Sequence, residues 1–495
     1  MDITGLGLII ITTIIFSLIG IFYTRKKHFT VEDYITSRNK IPLWPATLSL
    51  VASAMGAWIL FSPAETAATS GIVALIGYAL GSASALFIFI WIGHQIRKLM
   101  PNGHALTEYA IHRYGKGMYI FVLLITIFYM GVYLTAELTG IAQAAQMAYG
   151  IPLIFTAAII GLGTLAYTVI GGFEVSVFTD KIQSWFIIPL LAVIFIASLF
   201  FVGGIDTVID KTNAVNPELL NFKSFSGLEF ALTLIIAIVG AEIFNQGNWQ
   251  RVYAANSEKT MKKSFLYAGL IVIPIILFAG IFGIFAVDTQ TAEVPSVALF
   301  TFLIKAAPTW ILIAGIVLAI ILVMSTTDTL LNGLVSLFTV DIVRLKPQIH
   351  EKKILSIARW ITVILACFAI LIATKGYSVL YLFLIADLVC AAAAFPTILG
   401  LFSKKYSGKS AVISTIIGIV AGLLFFPDQS FTKSVVSYLP FFSNIPFLQG
   451  NLFYSFLIAS LITIVISPIF LYTDKEFDFS KLNENVKTFD QNKNA

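Results

Sequence analysis

The sequence predicts an all-α polytopic membrane protein with about 13 transmembrane helices. Three observations predict it. Hydrophobic residues make up 58% of the 495 residues and charged residues 12%, about half the ~25% of a soluble domain. Mean hydropathy is +0.92. Apolar runs long enough to cross a bilayer, about 20 residues each, recur along the whole chain. There is too little charge to coat soluble domains of this total length. A cytosolic globular enzyme, a secreted disulfide scaffold, a disordered chain and a nucleic-acid binder are all excluded. Most of the chain is solvated by lipid, and continuous helices satisfy the backbone there.

In order, the first span covers 6–24, an apolar stretch from Leu6 to Tyr23, followed by Arg25, Lys26, Lys27, Arg38 and Lys40. The second covers 43–62 and meets Ser62-Pro63-Ala64-Glu65. The third, 72–96, ends at Arg97 and Lys98, with Arg113 and Lys116 ahead of the fourth, 118–148. The fifth, 152–170, and sixth, 177–203, are separated by a segment holding Gly171, Gly172 and Lys181. The seventh, 228–247, precedes Arg251, Lys259, Lys262 and Lys263, and the eighth is 263–287. The ninth, 309–340, is followed by Arg344, Lys346, Lys352, Lys353 and Arg359, and the tenth is 354–374. The eleventh, 378–402, leads through Lys404, Lys405 and Lys409 to the twelfth, 409–427. The thirteenth, 452–472, is followed by a polar tail expected to be mobile, with Lys475, Lys481, Lys487 and Lys493.

Of the 31 Lys and Arg residues, 26 fall on the odd-numbered connections and the tail. The positive-inside rule puts those segments in the cytoplasm. The chain is therefore expected in the plasma (inner) membrane with its N-terminus outside and its C-terminus inside. The N-terminus lacks the basic n-region of a cleavable signal. Cys367 and Cys390 sit inside apolar runs and read as small core residues.

Two spans are interrupted. In the second, Ala52-Ser53-Ala54-Met55-Gly56-Ala57-Trp58 crowds small residues at mid-depth. In the seventh, Gly240, Glu242, Asn245, Gln246 and Gly247 place glycines and polar groups there. Irregular backbone at membrane depth is tolerated around a buried or wet cavity. Matching breaks in two halves point to a transporter site, although Gly and Pro are also common in ordinary membrane helices. The two spans are five apart, so a five-plus-five inverted repeat would run over spans 2–6 and 7–11.

The run Gly171-Gly172-Phe173-Glu174-Val175-Ser176-Val177-Phe178-Thr179-Asp180-Lys181-Ile182-Gln183 resembles a signature of the solute:sodium symporter family. So do Gln250-Arg251-Val252-Tyr253-Ala254-Ala255, Val323-Met324-Ser325-Thr326 and the segment Ala52–Trp58. The last two are similar to proline symporters. Met100 to Glu108, ending at Arg113-Tyr114-Gly115, looks more like the urea-transporting branch. The resemblance covers essentially the whole chain and implies a LeuT-type fold and sodium-driven uptake of a small organic solute. Carried over by motif, sodium would bind the carbonyls of Ala52, Met55 and Leu322 and the hydroxyls of Ser325 and Thr326. Oxygen ligands suit a hard cation, and an unwound helix frees carbonyls. Ser and Thr also pack and back-bond in membrane helices without any ion.

The resemblance has departures. Where proline symporters have a carboxylate and a serine, this chain has Ala54 and Gly56; Trp58 is retained. Counting back from Arg251, the substrate-facing positions of the seventh span are Ile238, Glu242 and Gln246, spaced to share one helix face. With Gly56 and Trp58 they would form the solute site. Glu242 and Gln246 suit a hydrogen-bond-rich or cationic solute, making urea, an amino or guanidino compound or another amide plausible besides proline. The other reading of Glu242 is an ion pair with Arg251.

Six acids lie near membrane depth: Glu65, Glu137, Asp180, Glu242, Asp328 and Asp387. Each costs at least about 2.5–3.5 kcal/mol if unpaired at the bilayer centre, so each needs an interior partner or water. The resemblance to sialic-acid symporters suggests a second cation or proton site at Asp180, Asp328 and Thr329. The alternative is a charge pair with Lys181 or another base. Glu137 and Asp387 have no reading beyond a polar interior position. The histidines read as loop residues, and no P-loop, nucleophile elbow or zinc motif is present.

The expected organisation is an additional helix and loop (1–42), a first repeat (43–203), a second repeat (204–408), two further helices (409–472) and a cytoplasmic tail (473–495). The expected function is sodium-coupled import by alternating access, with no catalytic residues and no cofactor besides Na+. A proton-coupled or uncoupled carrier on the same fold is the alternative, and a transporter-like sensor a more remote one. Expected partners are the solute, sodium and the lipid bilayer. Nothing points to nucleic acid or an obligate protein partner.

Overall fold

The computed structural model describes residues 2–25, 29–289, 295–345, 350–429, 433–439, 450–469 and 476–489. Lys26, Lys27, His28, Lys346, Lys475, Lys493 and the end of the thirteenth span at 470–472 lie outside the described residues. Among the described residues the regular elements are helices. Among the described residues, ten helices are long and apolar enough to cross a membrane.

Two of those ten contain a reversal that separates predicted spans. The run Leu153–Phe201 has 49 residues, about 74 Å if straight, against a hydrocarbon core of ~30 Å. Gly172 (φ 58°, ψ −143°) divides it, giving the fifth and sixth spans. A side chain there would be strained and would meet the Tyr34 carbonyl oxygen at 2.4 Å. Gly71 (φ 79°) divides Ser62–Phe87 in the same way. The second span therefore continues past its predicted end at 62 as far as Ser70, and the third begins after the glycine.

Both breaks lie where the sequence places them. The helix Leu43–Ala54 stops, Met55 and Gly56 leave helical geometry, and a 3-10 turn Ala57–Leu60 follows. The helix Phe225–Glu242 stops and a new one, Gln246–Ala254, starts. Asn245 joins the halves of the second break. Its Oδ1 accepts the Gly247 N–H at 3.0 Å, capping the new helix, while its Nδ2 donates to Glu242 Oε2 at 3.0 Å.

The two broken spans pack with the third and eighth in one group. The fourth, fifth, ninth and tenth form a second group. This is the LeuT-type inverted-repeat architecture, with the first span laid against the fifth and sixth and the last two spans against the eleventh. Lipid-facing stripes complete it: Trp360, Ile364, Phe368 and Leu371 of the tenth span are all exposed apolar residues.

Three expectations need correction. Cys390 is buried, but Cys367 is exposed, because it lies on that lipid-facing stripe. His94 and His112 lie on helices rather than in loops. His104 is 1% exposed, enclosed by carboxylates. The tail over 476–489 is packed rather than loose: Leu482, Val486 and Phe489 are buried. Phe477 lies under Arg113, whose guanidinium is 4.5 Å from the ring centroid. Spaced apolar residues in this short polar segment supply the anchors.

Candidate functional site

The first break and the ninth span are packed together. Ala52, Met55, Leu322, Ser325 and Thr326 are all buried at this junction. Ser325 Oγ donates to Asp180 Oδ1 at 2.6 Å. Thr326 Oγ1 is buried without a hydrogen-bond partner. The neighbouring Thr327 hydroxyl is likewise buried without a partner among the described residues; hydroxyl and carbonyl oxygens are the ligand type that a hard cation takes.

A buried polar network adjoins it. Arg251 donates from one terminal nitrogen to Asp180 Oδ2 and to Thr329 Oγ1, both at 3.0 Å. Its Nε donates to Ser49 Oγ at 3.0 Å, and Ser49 in turn donates to Asp180 Oδ2 at 2.7 Å. Asp328 accepts from Ser176 at 2.7 Å, Tyr167 at 2.8 Å and Thr179 at 3.2 Å. Asp180, Asp328 and Thr329 are thus brought together. The base that reaches Asp180 is Arg251, not Lys181.

Glu242 does not pair with Arg251. Its Oε1 accepts from Tyr129 at 2.8 Å, and its Oε2 from Asn248 at 2.7 Å and from Asn245. It lines a central cavity of about 30 Å³ together with Ile238 and Asp387. The aromatic walls are Trp58, Tyr78, Tyr129, Tyr133 and Phe383. Trp58 is stacked on Tyr78 with ring centroids 5.5 Å apart, and its Nε1 donates to Tyr133 at 2.8 Å.

Gln246 is not among the residues lining this cavity. Its Nε2 donates to the His104 carbonyl at 2.7 Å, and its Oε1 accepts the Leu106 N–H at 3.3 Å. The helical register that would align it with Ile238 and Glu242 is lost at the break. Gly56 is also absent from the lining. It is packed against Glu137, and a Cβ there would meet Glu137 Oε1 at 2.0 Å. Glu137 Oε2 accepts the Ala57 N–H at 2.5 Å, capping the segment after the break.

Asp387, like Glu137, is an acid that sequence reasoning left without a role. It is 6% exposed, and its Oδ1 has no hydrogen-bond partner. Its signal in the sequence was its cost at membrane depth; no local motif marks it. A larger vestibule of about 720 Å³ opens on the face made by the even-numbered connections, with Glu65 and Glu229 on its wall. Leu380 lines both spaces.

On the opposite face, His104 Nε2 lies 2.9 Å from Glu32 Oε2, and its Nδ1 lies 3.3 Å from Glu108. Phe489 covers the imidazole at 4.4 Å between centroids. Burial works to raise the Glu32 carboxyl, but His104 and Arg38 outweigh it and lower it to about 2. Burial works against the charged imidazole, yet Glu108 and Glu32 outweigh it and raise His104 above its ordinary value.

The description "Sodium:solute symporter family" matches residues 34–418. The chain is 28% identical over 374 residues to the spermidine transporter of Candida albicans, covering 75% of this chain and 70% of that one. It is 29% identical over 455 residues to the sodium/proline symporter of Haemophilus influenzae, covering 84% and 87%. Among solved structures, a Na+-coupled sialic acid symporter in a substrate-bound outward-open state superposes with a TM-score of 0.77. That likeness, at 20% identity over 94% of this chain and 97% of the other, bears on the fold.

Proposed function

The chain belongs to the sodium:solute symporter family, and from that membership we propose that it imports a small polar nitrogen compound by alternating access with sodium as the coupling ion. Candidate solutes are urea, an amino acid such as proline, and related amides and amines. The observation that supports sodium coupling most is the free, buried Thr326 hydroxyl at the junction of the first break with the ninth span. Sodium is held there by Ala52, Met55 and Leu322 carbonyls with Ser325 and Thr326. Trp58, Ile238 and Glu242 form the solute cavity. Gln246 and Gly56 act from behind it, one holding the 104–106 backbone and the other accommodating Glu137.

The N-terminus lies outside and the C-terminus in the cytoplasm of the plasma membrane, so the large vestibule faces outward. The first repeat runs over 43–203 and the second over 204–408. Sodium arriving from outside draws the broken second span against the ninth, the outer wall closes, and the four-helix group of spans 2, 3, 7 and 8 rocks to open inward. One charge falling through ~100 mV supplies about 2.3 kcal/mol. A tenfold sodium gradient adds about 1.4 kcal/mol. Together they support roughly 500-fold accumulation of a neutral solute per ion.

A second cation site lies at Asp180, Asp328 and Thr329, with the hydroxyls around Asp328 as further oxygen donors. Arg251 already compensates Asp180, so Asp328 is the carboxylate such an ion would use. An unchanged ion-to-solute ratio in Asp328→Asn removes this second site.

The deciding experiment is uptake of radiolabelled urea, proline and spermidine into proteoliposomes under an inward sodium gradient. Sodium-dependent concentration of any of them is expected. Uptake that follows a proton gradient and ignores sodium replaces this reading with proton coupling on the same fold.

A further inference from the structure

We propose that the central cavity is built for a linear di- or polyamine, with one ammonium held between Glu242 and Asp387 and the next lying outward at Glu65. The proposal rests on the reading of the chain as a symporter and names the class of its solute. It assigns Asp387 as a binding residue.

Two carboxylates line one small cavity. No Lys, Arg or His forms an ion pair with either among the described residues. Glu242 is held by three neutral donors, from Tyr129, Asn245 and Asn248. They fix its orientation and bring no positive charge. Asp387 Oδ1 is buried and has no hydrogen-bond partner among the described residues. Buried anions without a counter-charge are expensive, so the cavity is completed by a cation that arrives with the cargo. Urea brings no charge. Proline brings a carboxylate of its own into a site that already has two.

The walls say what kind of cation. Five aromatic rings surround the acids, and ring faces attract an ammonium group while their area covers methylenes. Leu234, Ile238 and Leu380 add further apolar surface. A hydrated metal ion gains little from such walls; an alkylammonium is matched at both its charged and its apolar ends. Leu380 also lines the vestibule, on whose wall stand Glu229 and Glu65, the latter with its Oε2 buried and without a hydrogen-bond partner among the described residues. A chain with its leading ammonium in the cavity therefore trails a second ammonium past Leu380 toward Glu65.

The test uses the full-length protein in proteoliposomes with a sodium gradient. The probes are spermidine, 1,4-diaminobutane, butylamine, urea and proline. The wild type is expected to concentrate the di- and polyamine, with butylamine at least ten-fold weaker as a competitor. Asp387→Asn is expected to raise the KM for spermidine ten-fold or more while the half-saturating sodium concentration stays within two-fold. Glu65→Gln is expected to raise the KM for spermidine and leave competition by butylamine unchanged. Thermal unfolding of each variant in detergent, within a few degrees of the wild type, establishes that it is folded. Sodium-driven uptake of urea or proline but of no amine overturns the polyamine assignment and leaves the symporter reading standing. An unaltered spermidine KM in folded Asp387→Asn overturns the role of Asp387. A shift in sodium dependence alone makes Asp387 a coupling-ion residue and equally overturns the proposal. Absence of sodium-driven uptake for every probe strikes the symporter reading itself.

Discussion

Arg251 and Asp180 form an ion pair at 3.0 Å, with side chains only 2% and 0% exposed. The pair ties the helix after the second break to the sixth span. Through Ser325 and Ser49 it also touches the ninth and second spans. One guanidinium thus fixes four elements around the junction. Removing one member of a buried pair leaves the other charge uncompensated, at a cost of about 3–5 kcal/mol. Arg251→Ala is expected to lower the thermal unfolding midpoint sharply and abolish uptake. The double variant Arg251→Ala/Asp180→Asn is expected to recover much of the stability. A single variant as stable as the wild type would show that the pair is dispensable.

Sodium should stabilise the wild type relative to potassium at equal ionic strength. An ion bound only to the folded state at 100 times its Kd contributes about 2.7 kcal/mol. Thr326→Ala and Ser325→Ala are both expected to shrink that thermal shift and raise the sodium concentration needed for half-maximal uptake. Ser325 also holds Asp180, so its variant should lose stability in potassium as well. Thr326 has no protein partner to lose. A sodium shift of normal size in Thr326→Ala would remove it from the ligand set.

Gly56 has no room for a methyl group. Glu137 Oε1 would lie 2.0 Å from the added Cβ, and the carboxylate cannot retreat without releasing the Ala57 N–H. Gly56→Ala is expected to give no sodium-driven uptake and a lowered unfolding midpoint. Adding Glu137→Ala should restore much of the stability but not transport, because the segment after the break then lacks its cap. Full activity of Gly56→Ala would mean that the two residues are not in contact during the cycle.

The cluster of His104, Glu32 and Glu108 under Phe489 is expected to make tail docking pH-dependent. His104 is raised above its unfolded value of 6.5. Its contribution is therefore complete below 6.5 and is lost as pH rises through the raised folded value. Glu32 is lowered from 4.5 to about 2. Its contribution is complete above 4.5 and is lost as pH falls toward 2. Protection of the 476–489 amides, taken relative to their intrinsic exchange rate at each pH, should be greatest between these limits and fall as pH rises past the histidine range. His104→Ala should flatten that upper limb; an unchanged profile in the variant would exclude the imidazole.

Much of this was legible in the sequence. Hydropathy located the helices, because a bilayer imposes a length on each. The breaks at Met55–Gly56 and after Glu242 were legible because an unbroken lipid-facing helix has little use for clustered small and polar residues at membrane depth. The grouping of Asp180 with Asp328 and Thr329 followed from motif resemblance. What stayed hidden was long-range pairing. Asp387 lies on the eleventh span, with no motif to join it to Glu242, 145 positions earlier in the numbering. Glu137 had no visible link to Gly56, since capping by a distant carboxylate leaves no local pattern. Gln246 was aligned with Glu242 by helical spacing that stops applying where the helix stops. The packed tail was hidden because its anchors are single residues in a polar stretch.

That packed tail bears on how the protein can be handled. Phe489 packs at a tilt on His104, with ring centroids 4.4 Å apart, and its N–H reaches Glu32 Oε2 at 3.4 Å. An affinity handle or fluorescent reporter joined directly behind Phe489 starts from a ring packed on His104 and on the helix Val31–Ile35 rather than from a free end.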